Sequence, residues 1–286
     1  CDPVTVDFKT NLFDVTKSTQ SVTWGCLGTF GVESEHHSLA FTFLILPLVV
    51  VLPLAFNDST FLTYPMEGFS VRWFGEFFTA PPWLYTLGNS VRVALGTTVV
   101  AVLVGGLAAM GTMLAGKWGQ IVLSALFVSP VVIPSVVLGV AMAYAFGRVG
   151  LGSSYYALVL AHTILAAPLV FLSVLTSLKG LDPELDRAAA SLGASRWHRF
   201  RTVTLPLAMP GFATGALFAF ITSFDEVVVA LFIASPESQT LPITLFSSLR
   251  DRLQPTIVVV ALLLSIVSCL FILALNRLQR RSLAAR

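Results

Sequence analysis

Long apolar segments constrain this chain more than any other feature of its sequence. Crossing a hydrocarbon core takes roughly 20 helical residues, and six stretches are long enough or nearly so. They are residues 39–56, 86–114, 121–146, 155–178, 207–233 and 256–275. Backbone polar groups in lipid must be hydrogen-bonded within the protein, so each stretch is predicted to be a helix. We therefore predict an all-α, polytopic membrane protein with six transmembrane helices.

Composition and charge support a membrane protein and exclude several function classes. Hydrophobic residues make up 56% of the 286 residues and charged residues 11%, against about a quarter in soluble domains. The net charge of +2 gives no basis for a nucleic-acid partner, and membrane lipid is the expected surrounding. The three cysteines, Cys1, Cys26 and Cys269, have no metal-like spacing. We predict no metal site, no catalytic residues and no enzymatic activity.

The distribution of Lys and Arg predicts the orientation. With six crossings both termini lie on one side, which then carries twelve of the 17 Lys and Arg residues. The positive-inside rule places that side in the cytoplasm. The predicted organisation is an N-terminal segment of unknown role at 1–38, a six-helix membrane domain at 39–276 with a cytoplasmic loop at 179–206, and a basic tail at 277–286.

Residues 57–85 form an outer loop that is rich in aromatic side chains. Nine of them are Phe61, Tyr64, Phe69, Trp73, Phe74, Phe77, Phe78, Trp83 and Tyr85. Aromatic rings are enriched at membrane interfaces, so an interfacial belt is one interpretation. A docking surface for an external partner is the other.

Signals for a short helix open the cytoplasmic loop. Asp182 is a good N-cap, Pro183 suits the first helical position, and Gly193 can adopt the left-handed conformation that ends a helix. The predicted helix runs from Pro183 to Leu192. Its apolar stripe consists of Leu185, Ala188, Ala189 and Leu192. Small side chains permit close approach to another surface, although an interfacial amphipathic helix has the same pattern.

The loop also carries a family resemblance. AAASLGA, followed by VTLPLAMP, resembles the "EAA" loop of bacterial ABC-importer permeases, with nine residues between Gly193 and Val203 and then Leu205 and Pro206. The resemblance implies a MetI-like permease fold and a coupling helix that docks on a separate ATPase subunit. It implies that the ATPase-coupling residues are Glu184, Arg187, Ala188, Ala189, Leu192, Gly193, Ala194, Leu205 and Pro206. Pro206 is expected to begin the fifth membrane helix.

Arg187 departs from the family pattern. It stands where the family has a glutamate, so the charge at this position is reversed. Glu184 lies three residues earlier, close enough on a helix to pair with Arg187, and Asp186 is adjacent. The polarity of the ATPase contact is therefore left open.

Other stretches narrow the resemblance. ILPLVVVLPLAFND, GFSVRWF, SFDEVVVALF and LPITLFSSLRD are similar to the spermidine/putrescine (PotC-type) permease group, over roughly residues 39–276. This implies a subunit of the bacterial inner membrane that forms a passage with a second permease. The implied partners are two ATPase subunits and an extracytoplasmic substrate-binding protein. ATP and Mg would be bound by the ATPase, and no cofactor by this chain.

Two acids are predicted inside the fifth membrane helix. Asp225 and Glu226 follow an apolar run, and ionisable residues in membranes usually face a bundle interior or a watery path. The stripe Gly211, Gly215, Ala219, Thr222 and Glu226 is predicted to pack closely. Asp225, Glu226 and Thr222 are therefore candidates for a pathway that suits a cationic solute. An interhelical hydrogen bond or ion pair is the structural alternative.

Other functions stay open. The substrate could be an opine, an amino-acid derivative, thiamine or iron. An ion-coupled secondary transporter and a non-transporting membrane scaffold are rivals from other classes. The secondary transporter does not explain the Gly193 to Pro206 spacing, and a scaffold would tolerate neutralisation of Asp225 and Glu226 and would not couple to ATP hydrolysis.

The second and third membrane segments contain a pair of prolines and a partial match to a phosphate-binding loop. Pro130 and Pro134 within SPVVIP predict a bend in the third helix. GTMLAGKW, residues 111–118, matches most of a phosphate-binding loop, but Trp118 stands where Ser or Thr should ligate magnesium. We interpret this second match as chance.

Overall fold

The part of the chain that the structure describes is mostly helical. The computed structural model describes residues 49–251 and 254–267, together with residues 43, 46 and 47. The chain divides into two units, Cys1–Val50 and Val51–Arg286. In the first unit the described residues are helical, and in the second the described residues contain one isolated β-bridge, between Asn57 and Phe69. The all-α prediction is confirmed.

The helices of the second unit are numbered here in chain order. They are α1 (Arg72–Thr79), α2 (Trp83–Leu114), α3 (Lys117–Val132), α4 (Ser135–Arg148), α5 (Tyr155–Lys179), α6 (Pro183–Ser191), α7 (Arg196–Arg199), α8 (Leu205–Phe224), α9 (Val228–Ile233), α10 (Leu241–Asp251) and α11 (Thr256–Val267). Short 3₁₀ turns occupy Leu52–Phe56 and Pro236–Ser238. A π turn at Phe200–Thr204 joins α7 to α8 without a break.

Three helices among the described residues are long and apolar enough to cross a membrane. They are Trp83–Leu114, Tyr155–Lys179 and the continuous helix Arg196–Phe224, and α3 with α4 makes a fourth if the bent pair is one span. The first and last predicted segments lie partly outside the described residues. The count of six is compatible with this arrangement and stays a prediction.

The third predicted segment, residues 121–146, is not one helix. Its two halves, α3 and α4, meet at an angle of 104°. The break falls at Ile133, which is extended, and Pro134. A residue before proline is pushed out of the α region, and proline has no N–H to continue the ladder. The predicted bend is therefore present, but it is sharp enough to separate two helices.

Helix α5 is the centre of the bundle and packs against α2 and α8. Glycines permit the close approach. A Cβ on Gly105 of α2 would lie 2.7 Å from the carbonyl oxygen of Ala167, and one on Gly215 of α8 would lie 3.1 Å from the Cα of Val170. Gly211 and Ala219 are buried on the same face of α8. The predicted stripe of small residues is confirmed as far as Ala219.

Part of the outer aromatic loop forms a packed core. Trp73, Phe77 and Trp83 are buried, and the Trp73 indole Nε1 donates a hydrogen bond to the backbone oxygen of Asn57 at 2.7 Å. The Phe56 ring stacks on Phe69 at a centroid distance of 5.3 Å. The interfacial-belt interpretation is therefore wrong for the three buried rings, because they pack against the protein.

Hydrogen bonds locate one end of the bundle, and the direction of the helices then locates the other. The Tyr85 hydroxyl donates to the carbonyl oxygen of Glu237 at 2.6 Å, and Asn89 Nδ2 donates to the same oxygen at 3.0 Å. The start of α2 and the loop before α10 thus share one end, and Tyr155 at the start of α5 lines a cavity beside them. Since α2 and α5 both run away from this end, residues 180–204 lie at the opposite end.

Candidate functional site

The coupling loop folds from its own capping residues. The Asp182 side chain accepts a hydrogen bond from the backbone N–H of Glu184 at 2.9 Å, which caps α6. At the other end Gly193 has φ +82°, and its N–H and that of Ala194 bond to the last turn of α6 at 3.0 and 3.2 Å. This is a Schellman ending, which favours glycine because of the positive φ. The predicted caps are confirmed, and the helix is one residue shorter than predicted.

Most of the predicted coupling residues form an exposed surface. Leu192 is 88% exposed and Leu185 47%, which is high for apolar side chains. Glu184, Arg187, Ala188, Gly193 and Pro206 are also exposed, whereas Ala189, Ala194 and Leu205 are half-buried. Ala189, Leu192, Gly193 and Ala194 lie beside a cavity of about 610 Å³ with Ser195, His198 and Thr202. The apolar face of α6 is therefore available to another surface.

An ion pair fixes α6 to α7. Arg199 Nη1 donates to Asp186 Oδ2 at 2.7 Å and to the Asp186 carbonyl oxygen at 3.2 Å. The expected pair between Glu184 and Arg187 does not form, and Arg187 makes no ion pair within the described residues. Both side chains are exposed, where a pair three residues apart contributes only a few tenths of a kcal/mol. The acid of α6 that forms an ion pair within the described chain is thus Asp186, and its partner is Arg199 of α7.

The Leu205–Pro206 step lies inside a helix. Pro206 lies in the first turn of α8, as expected, but α8 continues from α7 and the π turn, so Arg196–Phe224 is one unbroken helix. Proline lacks an N–H and its ring collides with the carbonyl four residues earlier, here that of Thr202. The π turn at Phe200–Thr204 contains that residue and accommodates it by widening the helix. The predicted coupling loop is therefore continuous with α8.

The two acids do not lie within a continuous helix, so that expectation is wrong. Helix α8 ends at Phe224, Asp225 is its exposed C-cap, and α9 begins at Val228. Glu226 Oε1 accepts a hydrogen bond from the backbone N–H of Val229 at 2.9 Å. The carboxylate thus caps the new helix, which stabilises a break inside an apolar segment.

Glu226 and Thr222 share a cavity at the bend between α3 and α4. This kink cavity has a volume of about 440 Å³ and is lined by Pro130, Val131, Val132, Ile133, Pro134, Ser135, Leu165, Leu169, Thr222 and Glu226. Glu226 is the one charged residue of its lining, and Asp225 is not part of it. The structure therefore brings together two of the three predicted pathway residues with the broken third segment.

A buried polar pair beside the kink cavity was not predicted from the sequence. His162 Nδ1 lies 2.9 Å from Ser223 Oγ, and both residues are buried. His162 Nε2 has no hydrogen-bond partner in the described part of the chain. The sequence feature that could have indicated this pair was the single histidine, His162, in the fourth apolar segment. Its partner is 61 positions away in the sequence, so only the tertiary packing of α5 on α8 identifies it.

The partial match to a phosphate-binding loop at residues 111–118 lies between the wrong kinds of secondary structure. Gly111 lies in α2, Gly116 precedes α3, and Lys117 begins it, so the match joins two helices instead of a strand and a helix. Among the described residues, no group of three or more His, Cys, Asp and Glu side chains could hold a metal ion.

Comparisons with known proteins give a consistent result. A family described as "Binding-protein-dependent transport system inner membrane component" matches residues 101–284. The putrescine transport system permease PotI of Escherichia coli K12 is 32% identical over 79% of this chain and 83% of its own length. The spermidine/putrescine permease PotC of the same organism is 27% identical over 84% of this chain and 90% of its own length.

Solved structures show the same fold. A chain from a bacterial ABC transporter involved in the import of the acidic polysaccharide alginate superposes with a TM-score of 0.71 at 13% identity. The match covers 88% of this chain and 95% of that chain. The family match spans about two thirds of the sequence and includes the coupling loop, α8 and Glu226. The chain therefore belongs to the binding-protein-dependent inner membrane components, and it is a permease subunit of an ABC importer rather than an enzyme.

Proposed function

We propose that this permease imports polyamines or a related small cationic solute, in a passage formed with a second permease. Two ATPase subunits engage residues 182–206 and bind ATP and Mg, and an extracytoplasmic binding protein delivers the solute. The loop at 179–206 and both termini face the cytoplasm. The names of the relatives PotC and PotI support the choice of solute.

Glu226 in the kink cavity is the observation that carries the proposal. A carboxylate attracts an ammonium group more strongly in a low-dielectric passage than in water. The Thr222 hydroxyl supplies a hydrogen-bond acceptor in the same cavity. The last carbonyls of α3, which ends at Val132, add the negative end of a helix dipole. These groups favour a cation, and Asp225 one residue away adds to the same field.

The coupling loop supports an ATP-driven mechanism. Its exposed leucines and small residues form a surface that suits docking, and Arg196–Phe224 is one continuous helix from that surface to the end of α8. A displacement of α7 by an ATPase subunit therefore moves Thr222, near the outer end of that helix. The chain itself supplies the passage and the mechanical link.

Neutralising Glu226 tests the proposal. We expect Glu226→Gln in the reconstituted importer to raise the apparent KM for putrescine uptake about tenfold, on the order of 1.4 kcal/mol. Glutamine keeps the volume and an oxygen that accepts from Val229, so assembly should be unchanged. Uptake and solute-stimulated ATP hydrolysis are measured together.

Glu67→Gln is the matched control, because Glu67 is exposed in the outer loop. It should change the KM less than twofold. A normal KM for Glu226→Gln would refute the cation pathway. Uptake by the purified chain without an ATPase would identify an ion-coupled transporter, and a complex that transports none of the candidate solutes would identify a scaffold.

A further inference from the structure

A second recess lies between α5 and α8, on the cytoplasmic side of the kink cavity in the proposed orientation. This hydroxyl groove has a volume of about 440 Å³. Its hydroxyl groups come from Ser173, Thr176, Ser177 and Thr214, and Pro210 and Gly211 line it beside them. Thr176 and Thr214 are exposed, and Ser173 and Ser177 are half-buried. Four hydroxyl side chains thus line one recess between these two helices.

These hydroxyls are not used for internal hydrogen bonds. None of the four makes a side-chain hydrogen bond within the described part of the chain. Other threonines in the same bundle donate to their own helix: Thr98 to Ala94 at 2.7 Å and Thr112 to Ala108 at 2.8 Å. Facing lipid, such a bond is the usual way to satisfy a hydroxyl. The free hydroxyls therefore suit a polar occupant or water.

The hydroxyl groove continues the face that lines the kink cavity. On α5, Leu165 and Leu169 line the kink cavity, and Ser173 and Thr176 follow at steps of four and three residues. On α8, Thr222 and Thr214 are eight residues apart, which separates them by about 12 Å along the helix axis and about 80° around it. Phe218, which is 46% exposed, lies between them.

We propose that the hydroxyl groove is a second binding subsite for an organic ammonium solute, which it holds after the solute leaves the kink cavity. Hydroxyl oxygens accept hydrogen bonds from ammonium N–H groups. The groove contains no charged side chain, so it would hold the cation less tightly than Glu226 does. A solute leaving Glu226 thus finds weaker partners towards the opposite end of the bundle. This inference rests on the proposed function.

Removing two hydroxyls tests the subsite. The variant Thr176→Val with Thr214→Val keeps the side-chain shape but removes both acceptors. In the reconstituted importer we expect putrescine uptake to fall about tenfold, since each hydroxyl bond contributes about threefold or more. Thr98→Val is the matched control, because its hydroxyl bonds only to its own helix. It should leave uptake within twofold of the unchanged chain.

Thiol labelling separates a solute site from a packing surface. In a chain with Cys1, Cys26 and Cys269 replaced by serine, Thr214→Cys should react with a positively charged, water-soluble thiol reagent. Putrescine should slow that reaction at least threefold. Leu107→Cys, which replaces a side chain that is 64% exposed on α2, should not react.

Two outcomes would overturn the subsite. One is normal uptake by the double valine variant, and the other is a Thr214→Cys thiol that putrescine does not protect, or that cross-links to the second permease. Either result leaves the cation pathway standing if Glu226→Gln still raises the KM. A failure of the pathway itself appears instead as a normal KM for Glu226→Gln.

Discussion

At the scale of single residues, His162 and Ser223 hold the end of α8 in place. A buried imidazole requires a hydrogen-bond partner, and Ser223 Oγ lies 2.9 Å from His162 Nδ1. Ser223 lies two residues before the break at Asp225, and Glu226 follows. The pair therefore fixes the position from which Glu226 reaches the kink cavity.

Removing this hydrogen bond should destabilise the folded chain. Ser223→Ala leaves the buried His162 without a partner in the described part of the chain, which costs about 1–3 kcal/mol. We expect a lower midpoint of thermal unfolding in detergent. Ser265→Ala is the control, because Ser265 bonds to its own helix at Ala261. Equal midpoints for the two variants would show that the His162 contact is unimportant.

Local signals predicted some of these residues and missed others. Asp182 and Gly193 were predicted correctly, because a cap depends on a few neighbouring residues. The helix-capping contact of Glu226 was missed, since the sequence stays apolar from Val227 to Ile233 and only the folded chain shows the carboxylate bonding to Val229. Contacts between distant segments, such as His162 with Ser223, leave no local pattern.

At the scale of helices, the ion pair between Asp186 and Arg199 joins α6 to α7. The Arg199 side chain is 17% exposed and that of Asp186 53%. This pair is less screened than a fully exposed one, so it resists separation of the two short helices. Since α7 continues into α8, the pair connects α6 to the start of the long helix Arg196–Phe224.

Neutralising this pair should weaken coupling. We expect Asp186→Asn to assemble normally and to lose about threefold of its solute-stimulated ATP hydrolysis, a change of somewhat under 1 kcal/mol. Exchanging the charges, Asp186→Arg with Arg199→Asp, should restore part of the loss. Glu67→Gln is the control, because Glu67 is exposed in the outer loop and lies outside residues 182–206. An unchanged ATPase rate for Asp186→Asn would contradict this role.

The helices themselves were predicted better than their interruptions. Apolar length predicted α2 and α5, because lipid-compatible composition extends over both. The prolines of the third segment predicted a bend, but the angle of 104° depends on how α3 and α4 each pack. The π turn before Pro206 was not predicted, since a proline near a helix start usually marks its first turn.

At the scale of the whole molecule, the two functional regions lie far apart along one helix. The coupling loop precedes α8 and the kink cavity lies at its other end, so the continuous helix Arg196–Phe224 spans the distance between them. A helix of 29 residues is about 44 Å long. The predicted coupling loop and the kink cavity are therefore joined by one continuous helix.

The proposed orientation can be tested in intact cells. In the cysteine-free chain, Glu237→Cys should react with a membrane-impermeant thiol reagent applied from outside. Arg196→Cys should react only after the inner membrane is opened, because the positive-inside rule places that loop in the cytoplasm. The reverse labelling pattern would place the loop outside and exclude an ATPase contact there.

The π turn at Phe200–Thr204 also sets the rotation of α8 about its own axis. Each residue of an α-helix advances the chain by about 100°, and the wider turn at Phe200–Thr204 changes that advance before α8 begins. The direction around the helix axis in which Thr214, Thr222 and the glycine stripe point thus depends on the five residues Phe200–Thr204, which precede α8. Deleting one of these five residues would rotate every later side chain of the helix by about a quarter turn, which would aim the hydroxyls into the neighbouring helices and the glycines away from α5.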